Sequence, residues 1–274
     1  MNPVFDISPV NFIAEQTNLF VEVSDESFTY FLQDDTNKMI TGLTLFHFDK
    51  KNTEADTSGI LKNIFQQQTI LNNNYKKIFV SYAFNESLLI PGVYYNENEN
   101  RDNLNLIYGD LHEGVILTDH VLQKNIYNTF RISQAIHDTM TEKFRGATFT
   151  HQYSTLLKQL PSDGEILKVI FYQNKIVIAL LKEGMLQMMQ TFKYTAATDV
   201  VFHMLNICEQ FKTKEISVKI SGMIEKDSAL FKEIYKYFLH IDFDNLPGDL
   251  SYDERIKELP NHFFSHLFSI ALCE

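Results

Sequence analysis

The feature that most constrains the fold is an order of predicted elements that occurs twice. In the first block, two β-rich runs flank a short polar turn, and a third strand, a helix and a short apolar strand follow. The helix is indicated by apolar residues at helical spacing, among them Leu61, Ile64 and Phe65. The five predicted elements lie at residues 19–23, 28–32, 39–48, 60–71 and 77–82.

The second block repeats this order after a Pro-Ser-Asp-Gly turn at residues 161–164. Val200, Val201 and Met204 begin the apolar stripe of its helix. The block then continues with a further helix, a short strand and a terminal helix. Its predicted elements lie at residues 166–171, 175–181, 185–192, 200–211, 215–220, 230–238, 241–243 and 261–272.

The shared order resembles that of a ribonuclease-H-like unit, in which three antiparallel strands precede parallel strands joined by crossover helices. Two such units in tandem form the actin-like ATPase fold. We therefore predict an α/β protein with mixed α+β sheets. The predicted domains are residues 1–160, with an extra segment around 87–120, and residues 161–274.

Composition excludes several classes of protein. The chain has 274 residues with 24 basic and 35 acidic side chains, a net charge of −11, and no basic stripe beyond the doublets at 50–51 and 76–77. Nucleic-acid binding is therefore not expected. Two cysteines cannot build a disulfide scaffold. The N-terminus has no signal-peptide pattern, and the apolar run at 263–273 is shorter than the ~20 residues of a spanning helix. We predict a cytoplasmic protein without a transmembrane segment.

Local sequence patterns resemble a bacterial family of unknown function, the domain of unknown function 3822 (DUF3822) family. The resemblance spans most of the chain and implies an actin-like ATPase fold, distantly similar to pilus-assembly and divisome homologues of actin. It implies no assigned activity. The segments that carry it lie at residues 79–82, 87–91, 128–132 and 147–157.

In actin-like ATPases, two hairpin turns hold the phosphates through backbone N–H groups, which favours glycine, and an acid holds Mg²⁺. The first turn here, residues 24–27, has acids and hydroxyls but no glycine. The second, residues 171–174, has neither acid nor glycine. Gly222 is retained at a third, adenosine-side position. If ATP with Mg²⁺ binds, the residues that remain for it are Glu22, Ser24, Asp25 and Gly222.

Ordinary turn chemistry is the simpler explanation of these four residues. No catalytic residue and no metal site is predicted. The G-x₄-G spacing at 109–114 is not followed by the Lys and Ser/Thr of a phosphate-binding loop. Glu258, His262 and His266 are spaced for one helix face, but Pro260 interrupts them, and an exposed polar face is the simpler expectation.

Three hypotheses of function follow. The first is a non-catalytic protein-interaction scaffold that keeps an ATPase fold with degenerate phosphate-binding turns. The alternative is a nucleotide-binding switch that uses a divergent interdomain cleft. The third is a membrane-associated assembly platform, although the apolar stretch at 263–270 has no basic face. The sequence identifies neither the protein partner nor the oligomeric state.

Overall fold

A computed structural model of the chain describes residues 1–48, 54–110, 114–213 and 215–273. The basic doublet at 50–51 and the interior of the G-x₄-G motif at 111–113 lie outside these ranges. The strands are β1 (Phe5–Ile7), β2 (Thr17–Val23), β3 (Ser27–Asp34), β4 (Met39–His47), β5 (Lys77–Tyr82), β6 (Ser87–Pro91), β7 (Gly114–Val121), β8 (Ile126–Ser133), β9 (Thr148–His151), β10 (Ile166–Phe171), β11 (Lys175–Lys182), β12 (Met185–Lys193), β13 (Ser217–Gly222), β14 (Ile241–Phe243) and β15 (Ser251–Tyr252). The α-helices are α1 (Glu54–Gln67), α2 (Asn100–Tyr108), α3 (Gln134–Lys143), α4 (Gln152–Gln159), α5 (Ala197–Gln210), α6 (Ala229–Tyr235), α7 (Glu254–Lys257) and α8 (Ser265–Phe268).

The chain forms two compact units. Unit 1 contains Met1–Lys158, Asp249–Glu258 and Ile270–Glu274, and unit 2 contains Gln159–Gly248 and Leu259–Ser269. The sequence predicts that all of residues 161–274 belong to the second domain, whereas residues 249–258 and 270–274 belong to unit 1 in the structure. The short strand β15 pairs in parallel with β4, and Arg255 donates a hydrogen bond to the carbonyl oxygen of Ser8. These contacts attach residues 249–258 to unit 1.

Unit 1 is built on a seven-stranded sheet in the order β1-β4-β3-β2-β5-β9, with β15 also on β4. The hairpin β2–β3–β4 is antiparallel, whereas β5 and β9 run parallel to β2. Helices α1 and α3 contact each other, and their apolar side chains Leu61, Ile64 and Ile136 pack in the core with Leu19 and Val80. A separate three-stranded antiparallel sheet, β6-β8-β7, extends to Ser133, beyond the extra segment predicted around 87–120.

Unit 2 has a five-stranded sheet in the order β12-β11-β10-β13-β14. The strands β10, β13 and β14 are parallel, and β10–β11–β12 are antiparallel. Val200 and Met204 of α5 and Ile234 of α6 lie in its core, as their helical spacing predicts. The strand–strand–strand–helix–strand order of both blocks is confirmed.

The predicted terminal helix at 261–272 is wrong in its extent. The structure has only α8, followed by a 3₁₀ turn at Ser269–Leu272. Backbone and side-chain hydrogen bonds hold His262 in a loop: its carbonyl accepts from the N–H of Gly222, and its Nε2 lies 2.7 Å from the carbonyl oxygen of Ile224. Because these bonds fix the chain before α8, the helix begins only at Ser265.

Candidate functional site

The first turn is closed by one hydroxyl group. Ser24 is buried, at 2 % exposed. Its Oγ accepts hydrogen bonds from the backbone N–H groups of Glu26 at 3.1 Å and Ser27 at 3.0 Å. The N–H of Ser24 donates to the carbonyl oxygen of Ser27 at 2.9 Å. Three N–H groups of the turn are therefore bonded within the chain, although a phosphate-binding turn directs such groups at its ligand.

The structure brings together the three predicted residues of unit 1 at one end of β2. Glu22 is the next-to-last residue of β2 and is buried, between Thr29 of β3 and Ser81 of β5 in the register of the sheet. Asp25 lies in the first turn and is half-buried. The two acidic residues named for a possible nucleotide, Glu22 and Asp25, thus precede and follow the closed Ser24 in the chain.

The second turn is closed by different chemistry. The N–H of Tyr172 donates to the carbonyl oxygen of Lys175 at 2.9 Å, and the hydroxyl of Tyr194 donates to the carbonyl oxygen of Tyr172 at 3.1 Å. Lys175 follows the turn and is only 1 % exposed. Its Nζ lies 5.8 Å from the centroid of the Tyr172 ring, within the range of a cation–π contact. The turn therefore carries an aromatic ring and a buried ammonium group.

Lys175 is a residue of this site that the sequence does not predict. Lysine is rarely buried, so a lysine beside a polar turn is expected at the surface. The available signal was the uninterrupted apolar run of residues 176–181, which predicts a strand buried on both faces. All of β11 up to Leu181 is buried, and Lys175 begins that strand.

Gly222 is required by the backbone beside the second turn. Its φ is +92°, and a Cβ at this position would lie 2.1 Å from the carbonyl oxygen of Phe171. That same oxygen accepts from the N–H of Met223 at 3.1 Å, and the N–H of Gly222 donates to the carbonyl of His262 at 2.8 Å. The glycine therefore permits a close approach of the chain to itself, and its N–H is bonded within unit 2.

Residues 262–266 of unit 2 contact the chain at the carboxyl ends of the parallel strands, which is the edge where open α/β sheets bind ligands. His262 holds Gly222 at the end of β13. The Oγ of Ser265 lies 3.5 Å from Oδ2 of Asp244, just after β14. The ring of His266 meets that of Tyr172 edge-to-face at a centroid distance of 5.3 Å. Burial, together with Lys168, lowers the pKa of His266 to about 3.

The other candidate groups have structural partners. In unit 1, His151 is fully buried, with Nε2 2.9 Å from the carbonyl oxygen of Phe84 and Nδ1 accepting from the N–H of Tyr153. These bonds correspond to a neutral ring with its proton on Nε2. In unit 2, Cys208 lies in the core, and burial raises the pKa of its thiol.

The predicted i, i+4, i+8 spacing of Glu258, His262 and His266 does not place them on one helix. Glu258 caps the end of α7, His262 lies in the loop and His266 lies in α8. His262 is buried, which corrects the expectation of an exposed polar face. In the part of the chain that the structure describes, no three His, Cys, Asp or Glu side chains are grouped as metal ligands.

Solved structures similar to this chain share its fold. A Bacteroides thetaiotaomicron protein of actin-like ATPase fold and unknown function has a TM-score of 0.78 and 16 % identity, covering 95 % of this chain and 97 % of that chain. The PilM–PilN type IV pilus biogenesis complex has a TM-score of 0.63 and 10 % sequence identity, and the match covers 93 % of this chain and 98 % of that chain. A third similar structure is the cytoplasmic domain of EpsL, an inner membrane component of the Vibrio cholerae type II secretion system. It has a TM-score of 0.50 and 8 % sequence identity, and the match covers 94 % of this chain and 95 % of that chain. The chain thus has the actin-like ATPase fold.

No curated protein matches the chain. Among the described residues, no helix has the length and apolar character needed to span a membrane. The sequence profile of the DUF3822 family, a family of unknown function, matches residues 9–241. This range is most of the chain, so the resemblance noted in the sequence is confirmed, and the chain belongs to the DUF3822 family.

Proposed function

We propose that this protein is a non-catalytic protein-interaction scaffold that acts in the cytoplasm, an actin-like ATPase fold whose phosphate-binding turns are degenerate. The hydroxyl of Ser24 carries this proposal, because it accepts from the N–H groups of Glu26 and Ser27. A phosphate would have to displace a buried, doubly bonded hydroxyl and then meet the nearby carboxylates.

The second turn supports the same proposal. Its backbone is bonded to Lys175 and Tyr194, and the N–H of Gly222 is bonded to His262. Similar folds occur in assemblies: one of the similar structures is a complex of PilM with PilN, and EpsL is described as a component of a secretion system. We extend this use of the fold to the present chain as part of the proposal, with the identity of the protein partner left open.

Thermal unfolding with and without Mg²⁺-ATP tests the proposal. A ligand at 100 times its Kd stabilises a one-site protein by ~2.7 kcal/mol, which shifts Tm by several degrees for a chain of this size. We expect no shift at millimolar Mg²⁺-ATP, with Mg²⁺-ADP and Mg²⁺ alone as controls.

A shift that is lost in Asp25→Ala would overturn the scaffold. It would favour the nucleotide-binding switch, in which Glu22, Ser24, Asp25 and Gly222 hold the ligand. ATP turnover by the pure protein, abolished by the same substitution, would establish an enzyme.

A further inference from the structure

Unit 1 contains a half-open groove of ≈ 300 Å³ between two strand edges. The second half of β7 forms one wall, and β9 forms the other. Helix α4 and the segment 270–273 complete the groove. The residues that matter most to its chemistry are Phe79, Asp119, His120, Phe149, Lys158 and Ile270.

The two walls are joined by a carboxylate. Oδ2 of Asp119 on β7 accepts hydrogen bonds from the hydroxyl of Thr150 and from the backbone N–H of His151, both at 2.8 Å. Asp119 is half-buried and forms no ion pair with a lysine or arginine of the described ranges. Asp119 therefore presents a negative charge that two neutral donors hold in place without neutralising it, while the ammonium group of Lys158 in the same groove donates to the carbonyl oxygen of Cys273.

The β7 wall is stiffened by stacked rings. His120 stacks on Tyr127 at a centroid distance of 4.0 Å, and Tyr127 stacks on Tyr95 at 3.7 Å, each within 3° of parallel. Such a wall needs little ordering when a ligand binds, which reduces the entropic cost of binding.

A buried polar network positions the floor of the groove. The hydroxyl of Ser87 donates to Oδ1 of Asn128 at 2.6 Å, and Nδ2 of Asn128 donates to the hydroxyl of Ser154 on α4 at 2.9 Å. Nζ of Lys158 donates to the carbonyl oxygen of Cys273. The network thus fixes α4 against the three-stranded sheet and holds the C-terminal segment on α4.

The β9 wall is the outer strand of the seven-stranded sheet. Because backbone groups alternate in direction along a strand and the N–H of His151 points to Asp119, the N–H and C=O of Phe149 point to the groove. The ring of Phe79 adds apolar surface on the face of the sheet that carries Thr148 and Thr150. The ring of Phe149 lies on the opposite face, where it stacks on Tyr82 in the core, so Phe149 contributes its backbone to the groove. Backbone donors and acceptors next to apolar side chains are what an extended peptide requires.

We propose that this groove binds a short extended peptide segment of the partner protein, with a lysine or arginine at Asp119, backbone hydrogen bonds to Phe149 and an aliphatic side chain on the ring of Phe79. This inference rests on the proposed scaffold function, because the peptide that occupies the groove is a segment of the partner protein. The charge of Asp119 selects a basic residue, and the net charge of −11 favours a basic segment at longer range.

The test begins with a phage-displayed library of random decapeptides selected on the folded full-length protein. We expect the enriched peptides to share a basic residue beside an aliphatic one. A fluorescein-labelled peptide of that consensus is then titrated by anisotropy against wild type and Asp119→Asn. The asparagine keeps an acceptor oxygen for Thr150 and His151 but removes the charge. We expect its Kd to rise about tenfold or more, as close charge pairs contribute at protein interfaces.

Two further variants complete the test. Asp102→Asn removes an exposed acid of α2 that does not line the groove, and it should leave the Kd unchanged. Thr148→Lys places a cation at an exposed position of the β9 wall and should weaken binding, which provides a second test if Asp119→Asn unfolds. The proposed peptide site would be overturned if no peptide is enriched, or if the enriched peptides lack basic residues. It would also be overturned if wild type and the groove variants bind the peptide with equal affinity. None of these outcomes depends on ATP, so the nucleotide test judges the scaffold separately.

Discussion

The two hairpin turns occupy equivalent positions in the repeated units but are closed in different ways. In the first, a single short hydroxyl, that of Ser24, accepts two backbone N–H groups of its own turn. In the second, the backbone N–H of Tyr172 donates to the carbonyl oxygen of Lys175, and the ammonium group of Lys175 lies over the ring of Tyr172. The first turn keeps carboxylates beside it, whereas the second carries a cation.

This difference shows that the same hairpin architecture accommodates two turns of different chemistry. Both hairpins retain their registers, because the sheet is stabilised by buried strands and by backbone pairing rather than by the turn residues. A serine hydroxyl can replace a ligand as the acceptor of turn N–H groups. The second turn depends in addition on the approach of Gly222 and on the segment that includes His266.

The largest expected effect is that of Gly222→Ala, which strains the second turn alone. The new Cβ would lie 2.1 Å from the carbonyl oxygen of Phe171, at a φ of +92°. Positive φ and the displaced backbone together should cost about 3–5 kcal/mol of unfolding free energy. Urea unfolding measures the loss, and hydrogen exchange should show weaker protection at Tyr172 than in wild type.

Gly146→Ala is the matched control for the close approach. Gly146 also has a positive φ, +77°, but nothing lies within 4 Å of its Cβ position. We expect a cost of about 1–2 kcal/mol from the backbone conformation alone. Equal losses in the two variants would show that the contact with Phe171 does not constrain the second turn.

The next effect is a pH dependence specific to the second turn. The pKa of His266, which packs on Tyr172, is about 3 in the folded protein against an ordinary value of 6.5, because burial and Lys168 disfavour the charged ring. Below pH 6.5 the unfolded chain takes up this proton and the folded protein does not. The stability contributed by the neutral ring is therefore complete above pH 6.5 and is lost as the pH falls towards 3, at about 1.4 kcal/mol per pH unit.

His266→Phe should remove that slope from the unfolding free energy measured between pH 6 and pH 4. The substitution keeps an aromatic ring against Tyr172 but has no group to protonate. His240→Gln, at an exposed position of unit 2, should leave the wild-type slope in place. An unchanged slope in His266→Phe would mean that other groups dominate the acid sensitivity.

A smaller loss is expected at the first turn from Ser24→Ala. The substitution leaves the N–H groups of Glu26 and Ser27 without their acceptor in a half-buried turn, at a cost of about 1–2 kcal/mol. Ser27→Ala is the control, since it removes only the contact between the two hydroxyls, which are 3.0 Å apart, and should cost less. Urea unfolding compares the two, and a larger loss in Ser27→Ala would contradict the assignment of Ser24 as the acceptor.

The sequence predicts most of the fold because its helices and long strands have clear apolar periods. Val200 and Met204 at helical spacing, or the apolar run that starts at Ile176, need no tertiary information. The sequence does not indicate the short strands β1, β6 and β15, because their pairing partners are distant in sequence and two to five residues carry little pattern. The terminal helix was overestimated because the bonds of His262 to Gly222 and Ile224 are long-range.

The candidate site was less predictable than the fold. The sequence itself shows that residues 24–27 and 171–174 contain no glycine. That the hydroxyl of Ser24 bonds to its own turn, and that Lys175 is buried beside Tyr172, depends on rotamers and packing that no spacing pattern encodes. The groove at Asp119 was not predicted either, because its walls, β7 and β9, belong to different sheets and are joined by long-range hydrogen bonds of the Asp119 side chain.

The smallest predicted effect separates the two kinds of closure at the second turn. The hydroxyl of Tyr194 donates to the carbonyl oxygen of Tyr172 at 3.1 Å. Tyr194→Phe removes this bond and keeps the ring, so it should lower the unfolding free energy by about 0.5–1.5 kcal/mol. If the backbone bond between Tyr172 and Lys175 closes the turn, hydrogen exchange at the N–H of Tyr172 should change little in this variant. Loss of that protection, together with a larger destabilisation, would instead make Tyr194 the group that holds the turn, and the second closure would then depend on one hydroxyl, as the first depends on Ser24.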